Sequence, residues 1–298
     1  MFSATFSGHG FARLALLAAA LLPVAPDPAR GAEPAASKAA YNLFHPVPGE
    51  LLRDMSTDRP DKTESPFTVD AGHFQIEMDL VSYAHDRDRS GGGDTRTDSW
   101  AVAPANLKVG LFHDVDLQLV IESWNHVRTK DQATAVVSNQ SGLGDITLRL
   151  KKNLWGNDGG RTALAVMPFV KFPTNQDDLG NDAVEGGVIF PWAVELWEGW
   201  GLGGMAEVDI LRDESGTGSH ASFINTLVVG RDLTEKLGAY LEFFSEISAE
   251  GGSRWVGTVD VGFTWSVTDN IQLDAGINIG VTKSADDLNP FLGLSWRY

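Results

Sequence analysis

Charged side chains recur two residues apart through much of this sequence. Arg149 and Lys151 flank Leu150, Glu207 and Asp209 flank Val208, and Asp116 faces Gln118 across Leu117. In an extended chain such pairs share one face, and the apolar residues between them take the other. If the apolar face turns outward from a closed sheet, the interior receives Glu77, Asp79, Asp116, Glu122, Glu195, Glu207, Asp209, Glu242, Glu246, Asp260 and Asp274. It also receives Lys108, Arg149, Lys151, Lys171, Arg254 and Arg297. The basic residues cluster on the fourth and fifth strands, opposite a broadly acidic wall. Two kinds of chemistry are open to such a lining. One is a charge-separated, water-filled passage whose field orients or selects solutes. The other is a salt-bridge network that fills and stiffens a narrow barrel, since polar interiors are satisfied by pairing.

Ahead of these positions stands Asp58-Arg59-Pro60-Asp61-Lys62-Thr63-Glu64-Ser65-Pro66. Pro60 and Pro66 limit the backbone, and the charges and hydroxyls between them can pair with interior groups. The segment reads either as a plug or latch gripped through Asp58, Arg59, Asp61 and Glu64, or as a turn that anchors the first strand and caps the rim. Catalytic patterns are sparse. Ser123 near His126 and Ser219 beside His220 are the candidates for a barrel-lipase pair, but neither lies in a nucleophile motif. Adjacent residues also point to opposite faces of a strand, so no catalytic residue and no enzymatic activity is expected. The seven histidines show no His-x-x-x-His or comparable pair and the chain has no cysteine, so neither a metal centre nor a cofactor is expected. Acidic loops such as 177–182 and 286–287 do not match the spacing of an EF-hand loop and read as solvated charges.

The elements that must position these residues are strands. From Gly72 onward, period-2 alternation runs for about ten residues at a time between turn residues. Ile271, Leu273, Ala275, Ile277 and Ile279, for example, alternate with Gln272, Asp274, Gly276, Asn278 and Gly280. Twelve strands are predicted, near 72–83, 98–110, 114–127, 143–152, 162–172, 185–196, 199–211, 220–231, 236–247, 254–266, 270–281 and 288–298. Strands of this length suit a tilted membrane crossing better than a soluble sandwich. Trp100, Trp192, Trp255 and Trp265 fall near strand ends, where interfacial girdles sit. Connections alternate between long and tight, with Asn153–Arg161 long for its class.

The expected fold is all-β: a transmembrane antiparallel up-and-down barrel over 72–298 with a periplasmic extension or plug at 37–71. Residues 1–36 read as an export signal, with Arg13 before the apolar run Leu14–Leu22. The run is about half the roughly 20 residues of a spanning helix. A net charge of −17 argues against nucleic acid as a partner. The expected surroundings are outer-membrane lipid and lipopolysaccharide of a Gram-negative-type cell, the barrel-assembly machinery and a small-molecule solute, with the chain a monomer. Leu294, Trp296 and Tyr298 alternate outward to a terminal aromatic, in the manner of an assembly signal.

Residues 56–77 (STDRPDKTESPFTVDAGHFQIE) resemble the leading motif of an outer-membrane transporter family named for the meta-pathway of phenol degradation. Gly142-Leu143-Gly144-Asp145, the run Lys151-Lys152-Asn153-Leu154-Trp155-Gly156, Lys171-Phe172-Pro173-Thr174 and the stretch 285–291 fit as well, so the likeness spans about 50–298. It implies an outer-membrane barrel that moves small, aromatic or hydrophobic compounds, and it supplies no catalytic residues. The competing reading is a structural or adhesive barrel with a filled lumen and acidic surface loops.

Overall fold

A computed structural model describes residues 38–89 and 92–298; the export-signal expectation at 1–36 lies outside the described residues. The strand segments are β1 (Phe74–Asp88), β2 (Thr95–Ala101), β3 (Ala105–Phe112), β4 (Val115–Ile121), β5 (Asn125–Asp131), β6 (Val137–Gly142), β7 (Ile146–Trp155) and β8 (Thr162–Phe172). They continue as β9 (Glu185–Trp197), β10 (Trp200–Arg212), β11 (Ser219–Asp232), β12 (Leu237–Ser248), β13 (Val256–Thr268), β14 (Ile271–Gly280) and β15 (Leu288–Arg297). All pairings between them are antiparallel, and β15 pairs with β1 from Gln75↔Arg297 to His85↔Leu288, which closes the sheet. Just beyond, Phe74 and Tyr298 exchange backbone hydrogen bonds of 3.2 and 3.0 Å.

Three pairs of segments are single staves with a break. β1 pairs with β3 along its first half and with β2 along its second, so β2 and β3 form one stave interrupted at 102–104. β4 and β5 form the next, interrupted at 122–124, and β6 and β7 the third, interrupted at 143–145. Counted as staves, the barrel has twelve strands. The breaks fall side by side and continue into a register shift at Asp79/Val81 in β1. A few hydrogen bonds stitch them, from Asp79 N–H to Pro104 O (3.1 Å), Val102 N–H to Trp124 O (2.9 Å), Gly144 N–H to Glu122 O (2.8 Å) and Glu122 N–H to Asp145 O (3.4 Å). Several strands run further than the alternation indicated. β1 reaches Asp88, and β6 occupies part of what reads in the sequence as a loop, because Val137–Gly142 is polar on both faces.

The outer wall carries Leu107, Leu150, Val170, Phe190, Leu227, Leu241, Phe263 and Leu292, all exposed. A soluble protein rarely leaves so continuous an apolar belt in water, whereas lipid covers it without cost. Trp100 and Trp255 stand near one end of the belt, Trp265 and Trp296 near the other. Trp192 departs from the expected girdle: it lies well inside β9, with its ring against Gly204. A glycine there leaves the flat space that the indole fills.

Long loops and the β1–β2 hairpin gather at one end. Short turns, the carboxy-terminal residue and the residues leading into β1 gather at the other. The sequence-level exception, the 153–161 connection, resolves into a turn at 156–161 whose side chains hold the amino-terminal segment. The Asn157 amide donates to Thr68 Oγ1 and to His113 O (both 2.8 Å) and accepts the Thr68 N–H (3.1 Å). Asp158 pairs with Lys38 (3.4 Å) and Arg53 (3.0 Å).

Candidate functional site

The segment that precedes β1 does more than cap the rim. Residues 58–66 contact staves around the whole circumference, which a chain can do only from inside the closed sheet. Asp58 sits between two lysines, 2.5 Å from Lys108 Nζ on β3 and 2.5 Å from Lys151 Nζ on β7. Its backbone N–H donates to Glu77 on β1 (2.9 Å), and Glu77 also pairs with Lys108. Glu64 accepts from Arg149 on β7 at 2.6 Å.

On the opposite wall the signs invert. Arg59 bridges Asp79 on β1 (2.7 Å) and Asp274 on β14 (2.8 Å). Lys62 Nζ reaches Asp260 on β13 (3.3 Å), and its backbone N–H donates to Glu242 on β12 (2.9 Å). The Thr63 hydroxyl donates to the other oxygen of Glu242 (2.6 Å). The segment thus presents acids to the basic staves and bases to the acidic ones.

Burial explains why the pairing must be this complete. Lys151 is 0% exposed and Lys108 4%. An ammonium removed from water costs several kcal/mol unless a counter-charge and further acceptors surround it. Asp116, 1% exposed, is satisfied in the same way by the Val69 N–H (3.0 Å) and the Gln118 amide (3.0 Å).

Most of the sequence-predicted interior residues separate into three groups; of the others, Glu195 lines the cavity at the short-turn end, Glu246 accepts from Ser222 (2.9 Å) and Arg297 donates to Arg53 O (2.7 Å). Glu77, Asp79, Lys108, Arg149, Lys151, Glu242, Asp260 and Asp274 meet residues 58–64 directly, and Asp116 meets the segment at Val69. Glu122, Lys171, Glu207 and Asp209 lie toward the long-loop end, where Lys171 pairs with Glu185 at 2.5 Å. Arg254 is a correction: β13 begins at Val256, so this residue belongs to the preceding loop and is exposed. The alternation carries one step past the end of the strand and so assigns it a face that does not exist. Of the gripping residues, Asp58, Arg59 and Glu64 make the ion pairs, whereas Asp61 lines a cavity toward the short-turn end. Sequence reasoning missed Gln75, Thr226, Asn157 and Asp158. The first two are uncharged positions on the same inward parity, which was the available signal; the last two are turn residues with no periodic signal.

That cavity, of about 750 Å³, is bounded above by Arg59, Asp61 and Phe67 and at the sides by Tyr240, Val228, Glu195 and Gly203, while Trp197, Trp200 and Arg231 stand at its rim on the outward face of β9–β11. The Arg231 guanidinium lies 4.6 Å over the Trp200 ring. A polar segment held by ion pairs across a barrel, with a chamber beneath it, can exclude or admit small solutes according to whether the segment moves.

The architecture is that of a porin-like outer-membrane β-barrel. The chain belongs to the family described as "Putative MetA-pathway of phenol degradation", whose profile matches residues 57–298. Among solved structures it is similar to an outer-membrane channel from Pseudomonas putida F1, at 14% identity and a TM-score of 0.58, covering 82% of this chain and 100% of that one. It is also similar to the transport unit of the autotransporter AIDA-I from Escherichia coli, at 10% identity and a TM-score of 0.50, covering 81% and 92%. No curated protein sequence matches it. At these identities the structural likeness speaks for the fold alone.

Proposed function

We propose that this protein is an outer-membrane channel for passive or facilitated passage of small aromatic or hydrophobic molecules, with residues 54–67 as its plug. The short-turn end faces the periplasm and the long-loop end the exterior, as in barrels of this kind. The observation that carries the proposal is the chamber beneath the plug. Phe67 and Tyr240 give it aromatic faces, Val228 gives it an apolar wall, and Arg59, Asp61 and Glu195 give it a few polar groups, the usual make-up of a small-molecule site. The family's association with phenol degradation agrees with this reading, and so does the fact that the similar Pseudomonas putida protein is an outer-membrane channel. A solute arriving from outside meets the plug at the height of the aligned stave breaks, where the wall is held by a few hydrogen bonds. A hydrophobic solute can leave sideways there, while a polar one must wait for the plug to shift.

Single-channel recordings in planar bilayers, on the full chain and on a chain lacking residues 50–66, test this. Conductance steps that are small or absent in the full chain and stable and larger in the truncated one are the expected result. Silence in both, with each shown folded by heat-modifiable gel mobility, overturns the channel and favours a filled structural barrel.

A further inference from the structure

Away from the lumen, the long-loop end brings together three side chains that no spacing in the sequence connects. Asp213 lies in the turn between β10 and β11, His220 at the start of β11, and Glu250 in the loop after β12. His220 Nδ1 is 2.9 Å from Asp213 Oδ1 and 3.7 Å from Glu250 Oε2, and the three ligand atoms lie within 4.8 Å of one another. We propose that Asp213, His220 and Glu250 form a binding site for a borderline divalent transition metal, zinc being the representative ion, that ties the β10–β11 hairpin to the β12–β13 loop.

Three features of the site support this. The first is spacing. Tetrahedral zinc with bonds of about 2.0–2.2 Å sets its ligand atoms roughly 3.3–3.6 Å apart, which lies between the two distances observed. The second is orientation. Glu250 Oε1 accepts the Glu214 N–H (2.9 Å), so its Oε2 is left turned to the imidazole, and Asp213 is fixed by backbone bonds to Gly216 and Gly218 across its own turn. Ligands aimed by such outer contacts are a mark of metal sites. The third is access. A cleft of about 630 Å³ between this hairpin and the 178–182 loop is lined by Asp213, Glu214 and His220 and reaches the site from solvent. One imidazole with two carboxylates suits zinc, nickel or copper better than calcium, which prefers six to eight oxygens. Without metal the Nδ1–H donates to Asp213; with metal bound, the ring takes the tautomer with its proton on Nε2, and Nδ1 becomes a ligand.

The full chain, purified without a histidine tag and shown folded by heat-modifiable mobility, is titrated calorimetrically with Zn²⁺ and, separately, followed by visible absorption with Co²⁺. One saturable equivalent, a cobalt d–d band, and weakening by about tenfold or more in His220→Ala and in Glu250→Gln are expected. His85→Ala, which removes the histidine paired with Asp98 at 3.0 Å elsewhere on the same rim, leaves binding unchanged. No saturable binding overturns the proposal. Binding that survives both variants also overturns it, and so does calcium displacing zinc at equal concentration. None of these results depends on whether the barrel conducts.

Discussion

Asp58 carries the densest set of contacts in the lumen. Its two oxygens take Lys108 and Lys151 at 2.5 Å each, and Oδ1 also accepts the Ser65 N–H at 2.9 Å. Lys108 keeps Glu77 if Asp58 is neutralised, but Lys151, fully buried, has its salt bridge with Asp58 alone among the described residues. Breaking a buried pair from one side costs about 3–5 kcal/mol, because the remaining charge stays uncompensated. The barrel ladder does not depend on this contact, so the cost falls on docking of the segment. Asp58→Asn is therefore expected to raise hydrogen exchange across residues 54–67 and to expose Lys62 to trypsin, while strand protection stays as it was. Protection of 54–67 equal to wild type would sink this account. Asp58 and its neighbours were legible as gripping residues from their charge and the bracketing prolines. Their partners were legible only as a set, since inward parity names Lys108 and Lys151 but cannot say which carboxylate meets them. Asp61 shows the limit of that reasoning: it has the same residue type and the same segment as Asp58, yet it turns toward the chamber.

At the level of elements, Gly110 shows how the wall accommodates the segment. A Cβ at this position in β3 would lie 2.1 Å from the Asp70 carbonyl oxygen and 2.7 Å from that of Val69. Backbone cannot retreat as a flexible side chain can, and Ala71 bridges to Gly110 directly. Gly110→Ala is accordingly expected to lower stability by about 1–3 kcal/mol, the usual cost of overpacking, and to loosen residues 68–72 from β3. Urea melts followed by gel mobility check it, and Gly230→Ala, where the new atom meets nothing within 4 Å, is the matched control. A Gly110→Ala melt that overlays wild type would argue that the segment is not packed on β3 in solution. Most staves were readable because one face meets lipid and the other does not, which forces period 2. The three broken staves were readable only in part. Ala103 has a positive φ and precedes Pro104, and the stretches 122–124 and 143–145 leave the ladder, so alternation skips there and the polar β6 beyond looks like loop. The long turn at 156–161 looked anomalous for a related reason: it serves the segment inside the barrel, and a one-dimensional pattern carries no record of that contact.

For the whole molecule, the charges of the wall and of the segment form a single system. With the segment docked, Asp58 and Glu64 answer Lys108, Lys151 and Arg149, while Arg59 and Lys62 answer Asp79, Asp274 and Asp260. Without it, the basic side chains of β3, β7 and β8 face Glu77, Asp79, Asp116, Glu122, Glu185, Glu207, Asp209, Glu242, Asp260 and Asp274, and acid outnumbers base. A lumen lined mainly by carboxylates raises the local concentration of cations. The chain lacking residues 50–66 is therefore expected to prefer potassium over chloride, read as the zero-current potential across a salt gradient. Screening sets the size of the effect. The Debye length shrinks from about 10 Å near 0.1 M salt to about 3 Å near 1 M, so the preference should weaken steeply as salt rises. Replacing Arg149 and Lys151 by Gln in the truncated chain should strengthen it, since the two inward cations that β7 sets opposite the acidic wall are then gone. Anion preference, or a selectivity indifferent to salt, would mean that the lining charges remain paired with one another after the segment has left, and that the segment is a bystander to a network the wall can complete by itself.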